Sequence, residues 1–138
     1  MDINLIIQHD VYTLRLKRYI QTVLRKAIKN NNPYKKYIKQ LIKLDIVLKM
    51  NSRLAETWAY CTYEENKRKF NGFEVNFNLE LFYGISSTKF RREIITHELA
   101  HCIDVLIRGD SFHDTEWRNI HISLGGTGGT FADRKDFS

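Results

Sequence analysis

The chain has 138 residues, of which 43% are apolar and 28% charged, and it carries a formal net charge of +6. This length suits one folded domain with its own core, and the composition excludes both wholesale disorder and a fibrous architecture. No apolar run approaches the ~18 to 20 residues of a membrane span, and MDINLIIQHD lacks the basic start and long apolar stretch of a signal peptide, so a cytoplasmic protein without membrane contact is expected.

The positive charge is local. Between Asp10 and Asp45 there is no acidic residue, whereas Arg15, Lys17, Arg18, Arg25, Lys26, Lys29, Lys35, Lys36, Lys39 and Lys43 supply ten cations, and the rest of the chain is net acidic. Within this stretch Leu16, Tyr19, Ile20, Val23, Leu24, Ala27 and Ile28 recur at three- and four-residue spacing, which predicts a helix with one buried face. Asn30 to Pro33 should stop it, and Tyr34, Tyr37, Ile38, Leu41 and Ile42 predict a second, shorter helix.

From Leu44 the period changes to two. Leu44, Ile46, Leu48 and Met50 alternate with Asp45, Val47 and Lys49, Thr57 to Tyr63 is rich in aromatic and threonine residues, and Phe73, Val75 and Phe77 alternate with Glu74, Asn76 and Asn78. Three strands are expected, the last two joined as a hairpin through the polar stretch from Glu64 to Gly72. Helical spacing then returns. Ser86, Ser87 and Thr88 offer N-caps to a helix with Phe90, Ile94, Ile95, Leu99, Ile103, Leu106 and Ile107 inward, broken at Gly109-Asp110. A last helix, starting near His113 or Asp114 with Trp117, Ile120 and Leu124 inward, should end at Gly125-Gly126. Cys61 and Cys102 are too few for a disulfide framework or a four-cysteine zinc ribbon, and both are expected as buried, reduced thiols.

The chemistry concentrates in the long helix, where His97-Glu98-Leu99-Ala100-His101 has the form H-E-x-x-H. Histidines four apart lie one turn apart on the same face, so two imidazoles can reach one ion at roughly 2.0 to 2.1 Å, and Glu98 is placed to take the proton of an attacking water. A catalytic zinc keeps three protein ligands and an open position. Asp104, Asp110, His113, Asp114, Glu116 and His121 are the downstream candidates for the third, with His113 preferred because it follows the Gly109-Asp110 turn and precedes Trp117, which can pack beneath it; His121 is the reserve.

The run REIITHELAHCIDVLIRGDSFHDTEWRNIHISLGG resembles the metalloprotease core of SprT-like proteins, the group that includes the Spartan DNA-protein crosslink proteases. That family has H-E-x-x-H, a short loop and a third histidine in an H-G-x-x-[FW] setting, matched here by His97, Glu98, His101, His113 and Trp117. Asn51 to Ala55, and Val75 to Asn78 with Leu81, resemble its upstream segments. The glycine usual after the third histidine is replaced by Asp114, a candidate N-cap that can also hydrogen-bond the ligand. The C-terminal zinc ribbon or DNA-binding extension of many members is not found in this sequence, so any nucleic-acid contact is expected from the core.

The resemblance implies a zincin-like α+β fold: N-terminal helices, a small antiparallel or mixed three-stranded sheet, the H-E-x-x-H helix and a following helix. A single domain over 1–138 is expected, with a basic helical segment at 11–43, a metalloprotease core at 44–126 and an irregular tail at 127–138. It further implies one Zn2+ per chain on His97, His101 and His113, with Glu98 as general base in peptide hydrolysis by a monomer. The strand at Phe73 to Asn78 is expected nearest the site, pairing with an extended protein substrate. DNA contacts are expected at Lys26, Lys29, Lys35, Lys36 and Lys39, with Tyr19, Tyr34 and Tyr37 as candidates for base stacking or for core packing. The competing expectations are a DNA-associated adaptor of the same fold with little proteolysis, and a zinc hydrolase acting on a non-peptide substrate.

Overall fold

The structure is a computed structural model that describes residues 3–44, 46–51, 59–66, 69–78 and 88–129. Helix α1 (Ile3–Lys29) begins well before the stretch where helical spacing becomes legible. Its first turns hold neither glycine nor proline to interrupt propagation. The buried face is Leu16, Ile20, Leu24 and Ala27, one residue per turn. The helix stops at the asparagine run, where Asn31 takes a positive φ of 55°. Asn32 then bridges to the far end of the chain: its side-chain amide donates to the carbonyl oxygen and Oγ of Ser123, both at 3.1 Å, and its Oδ1 accepts from the backbone N–H of Tyr34 at 2.8 Å.

Helix α2 (Lys35–Lys43) buries Ile38 and Leu41. Ile42, expected inward, is 48% exposed, because one helical step from Leu41 turns it away from the core. Tyr19, Tyr34 and Tyr37 pack against the core, as the packing alternative anticipated.

Strands β1 (Ile46–Asn51), β2 (Ala59–Asn66) and β3 (Lys69–Asn78) are arranged in the order β1-β3-β2. β1 runs parallel to β3, with Ile46 opposite Phe73, and β2 runs antiparallel to it, with Ala59 opposite Phe77. The hairpin is tighter than the polar stretch from Glu64 to Gly72 suggested. Ladder pairs continue to Asn66 and Lys69, with an irregularity at Glu64/Glu65, because backbone pairing does not require apolar side chains. Phe73, Val75 and Phe77 are buried, as their alternation predicts.

The expectation that Phe73 to Asn78 offers a free edge to substrate fails. β3 is the central strand, and its hydrogen-bonding groups are engaged by β1 on one side and β2 on the other.

Helix α3 (Thr88–Arg108) packs against β2, β3, α2 and α4. Ile94, Ile95, Leu99 and Ile103 join the core, and Cys102 is a buried, reduced cysteine. Its end is set by Gly109, whose φ of 81° suits a residue without Cβ and whose N–H reaches the Val105 carbonyl at 2.8 Å. After the turn, α4 (Thr115–Ser123) is capped by Asp114, whose Oδ1 accepts from the Trp117 N–H at 3.3 Å. Trp117, Ile120 and Leu124 then bury inward. The predicted strand residues 57–58 and caps Ser86 and Ser87 lie outside the described residues, as do Ser52 to Ala55 and Leu81, matched to the family on sequence, and the tail beyond 129.

Candidate metal centre

Two elements build the centre. Mid-α3 places His97 and His101 one turn apart, and the Gly109 turn returns the chain so that His113, just before the α4 cap, meets them. The three Nε2 atoms form a triangle with sides of 3.3 Å (His97 to His101), 2.9 Å (His101 to His113) and 3.0 Å (His97 to His113). Two nitrogens bound to one zinc at tetrahedral angles stand about 3.3 Å apart, so this donor set fits such an ion with slight expansion. Burial is graded: His97 is buried, His101 half-buried and His113 exposed, which leaves the centre open on the His113 side. Phe112, 60% exposed, stands beside that opening.

Trp117 forms the floor. Fully buried, it has its ring centroid 4.6 Å from that of His97, 5.3 Å from His101, 4.9 Å from His113 and 5.0 Å from His121. Its Nε1–H donates to the His97 carbonyl oxygen at 3.3 Å, so the indole holds the backbone of the ligand helix as well as packing beneath the rings.

The imidazoles are held neutral. Burial, reinforced by the neighbouring histidines, lowers His97 to about 2 and His101 to about 4, and burial also lowers His113. Neutral rings present lone pairs, the state a cation requires. His97 Nε2 points into the triangle, toward the Nε2 atoms of His101 and His113.

Glu98 is buried, with Oε1 4.0 Å from His97 Nε2. Loss of solvation pushes its carboxyl up to about 8. A carboxyl with that value is suited to accept and release protons near neutrality.

The structure brings together His97, His101 and His113 and excludes the reserve. His121 is buried with every ring nitrogen engaged. Thr96 Oγ1 donates to the Arg92 carbonyl at 2.6 Å, so it accepts from His121 Nε2 at 2.9 Å, and His121 Nδ1 accepts from the Gly128 N–H at 3.1 Å. This histidine anchors the glycine-rich segment. Glu93 anchors the same segment, accepting from the N–H and Oγ1 of Thr127 at 2.6 and 2.9 Å. The tail has no regular secondary structure in its described part, and it is strapped across α3 and α4 as far as Gly129.

Of the other third-ligand candidates, Asp104 faces Arg108 and Ser111, and Asp114 caps α4. Glu116 also approaches Arg108, at 3.6 Å. Arg108 clasps Asp104 at 2.6 Å and Asp114 at 2.8 Å, tying the last turn of α3 to the first of α4; it lowers the Asp114 carboxyl accordingly. Ser111, Arg108, Thr96, Glu93 and the strap were not recognised in the sequence. The four-residue spacing of Asp104 and Arg108 was the visible hint.

The candidate nucleic-acid residues lie elsewhere, at the α1–α2 corner. Lys26, Lys29, Lys36 and Lys39 are exposed and Lys35 half-buried, and none pairs with a carboxylate among the described residues. Lys26 and Arg92, with Tyr19, Asn30 and Asn31, line a cavity of about 440 Å³ between α1, the asparagine loop and the ends of α3 and α4.

Residues 25–135 match the model of the SprT-like family. No curated protein and no solved structure matches the chain.

Proposed function

From the premise that the chain belongs to the SprT-like family, we propose that it is a zinc-dependent metallopeptidase that cleaves protein substrates, with a basic surface for DNA. The observation that carries the first part is the convergence of three neutral Nε2 atoms beside a buried carboxyl on a face open to solvent. Zinc, when bound by His97, His101 and His113, would supply Lewis-acid polarisation of the scissile carbonyl and acidify water.

The chain's own residues do the rest. Glu98 Oε1 accepts a proton from the attacking water as the water oxygen bonds to the carbonyl carbon, and returns it to the amine nitrogen as the C–N bond breaks. Burial keeps Glu98 basic enough to take that proton and acidic enough to yield it. His113 and Phe112 border the entrance. With β3 closed on both sides, an extended substrate would pair with β2, the edge strand that packs against α3. Arrangement of these parts as a zincin-like core acting in a monomer belongs to the same proposal.

Lysines at the α1–α2 corner, without a carboxylate partner among the described residues and next to a cavity that combines Lys26 and Arg92 with Tyr19, support phosphate binding and recruitment to DNA-bound protein. Incubation with casein, with and without a chelator, tests the peptidase. Wild type should cleave, the chelator should stop it, and Glu98→Gln should keep the metal while losing roughly 10²-fold or more of the rate. Cleavage that survives Glu98→Gln removes Glu98 from this role. For DNA, the triple change Lys35→Glu, Lys36→Glu and Lys39→Glu should weaken binding and flatten its salt dependence, and equal binding by both proteins refutes the basic corner as the contact.

A further inference from the structure

We propose that Ser111 and Asp104 form a relay that presets the proton of His101 on Nδ1, so that its Nε2 is available as a metal ligand; Ser111 is thus a positioning residue. This rests on the metal-centre reading above and adds to it the groups that prepare one ligand.

The protons can be followed from the inside outward. Asp104 is fully buried, and Arg108 reaches both its oxygens, Nε to Oδ1 at 2.7 Å and Nη2 to Oδ2 at 2.6 Å. A guanidinium has donors only, so the carboxylate accepts in both bonds. Asp104 Oδ2 also lies 2.8 Å from Ser111 Oγ, and the one proton available there is the hydroxyl's, so Ser111 donates to Asp104. A hydroxyl has a single proton. At its other contact, 2.7 Å from His101 Nδ1, Ser111 Oγ must accept, and Nδ1 must therefore be the protonated nitrogen. A ring with its single proton on Nδ1 leaves Nε2 bare, and here Nε2 points at the Nε2 atoms of His97 and His113.

A neutral imidazole otherwise takes either tautomer, and the one with its proton on Nε2 cannot ligate through that nitrogen. The relay removes that competition and fixes the ring plane. Its geometry depends on the Gly109 turn, which brings Ser111 back over the α3 turn that holds both His101 and Asp104. Arg108 keeps the Asp104 carboxylate in place.

The test compares Ser111→Ala, which removes the hydroxyl, with Ser111→Thr, which retains it. Zinc affinity is measured by competition with a chromophoric chelator, and the His101 tautomer by 15N–1H correlation spectra of the metal-free protein. Wild type should show His101 protonated on Nδ1. Ser111→Ala should lose that single tautomer and bind zinc roughly 10- to 100-fold more weakly, the usual range for loss of a group behind a ligand. Ser111→Thr should restore both, and the melting of metal-free Ser111→Ala should stay cooperative.

If wild type binds zinc and Ser111→Ala binds it equally tightly, or if His101 of wild type carries its proton on Nε2, the relay is overturned while the metal centre stands. If wild type binds no zinc, the metal-centre reading falls and the relay with it.

Discussion

Replacing Gly126 by alanine puts a methyl group into the His121 ring, overlapping Nε2 and Cδ2 and approaching Cε1 at 2.5 Å, where ordinary contacts are 3.4 to 4 Å. The ring cannot move aside freely. It is fully buried, stacks on Trp117 with centroids 5.0 Å apart, and is held by Thr96 Oγ1 at 2.9 Å, the Glu93 carbonyl at 3.3 Å and the Gly128 N–H at 3.1 Å. A retreat of about 1 Å would disturb the alignment of these bonds.

Overpacking of this kind costs about 1 to 3 kcal/mol, and each lost hydrogen bond adds about 1 kcal/mol. Gly126 does not have a positive φ, so alanine recovers about 0.4 to 1 kcal/mol by restricting the unfolded chain. One displacement causes both losses, so they do not simply add, and the net expectation is about 3 kcal/mol. For a chain of this size that corresponds to a fall in Tm of roughly 10 °C.

Thermal melts of the metal-free protein measure this, and a double-mutant cycle with His121→Ala identifies the cause. Once the ring is gone, Gly126→Ala should cost less than about 1 kcal/mol. A Gly126→Ala protein within about 0.5 kcal/mol of wild type, or an equal cost in both backgrounds, refutes the packing argument.

His113→Ala should lose most of its zinc, whereas His121→Ala should retain zinc while melting earlier; metal analysis after dialysis checks both, and the reverse outcome would exchange the assigned roles. The metal-free protein should also be most stable near pH 6.5. His97 and His101, ordinarily at 6.5, are lowered to about 2 and about 4, so below 6.5 the unfolded chain binds more protons and stability falls with pH. Glu98, ordinarily at 4.5, is raised to about 8, so its contribution is full below 4.5 and is lost as pH rises through about 8. Between 4.5 and 6.5 the two histidines outweigh the one carboxyl, and above 6.5 the carboxyl acts alone. Urea midpoints across roughly pH 4 to 9 test this, and a flat profile contradicts it.

The parts legible in the sequence were those with short-range signatures. H-E-x-x-H reports a helical face directly, and a glycine that stops the helix shortly before His113 suffices to return that residue to it. Asp114 reads as a cap because short acidic side chains satisfy exposed N–H groups at a helix start. Less legible were features that depend on where the chain goes after a turn. Ser111 becomes a partner of His101 only through the Gly109 geometry, and His121 becomes an anchor only because the segment after Gly126 folds back. Similarly, the alternation at Phe73, Val75 and Phe77 identifies a strand but not its neighbours, so whether β3 lay at the edge or in the middle was open until the parallel pairing with β1 was seen.

The strap, the relay, the floor and the three imidazoles all come from residues 93–129, a stretch of chain with no strand in it. The sheet supports this helical pair from outside, and among the described residues it supplies no ligand atom. A division of this kind uncouples two kinds of inherited change. Substitutions along β1 and β2 that preserve backbone pairing can reshape the approach to the centre without disturbing its donors, whereas the helical pair tolerates little, because most of its polar side chains are already committed to one another.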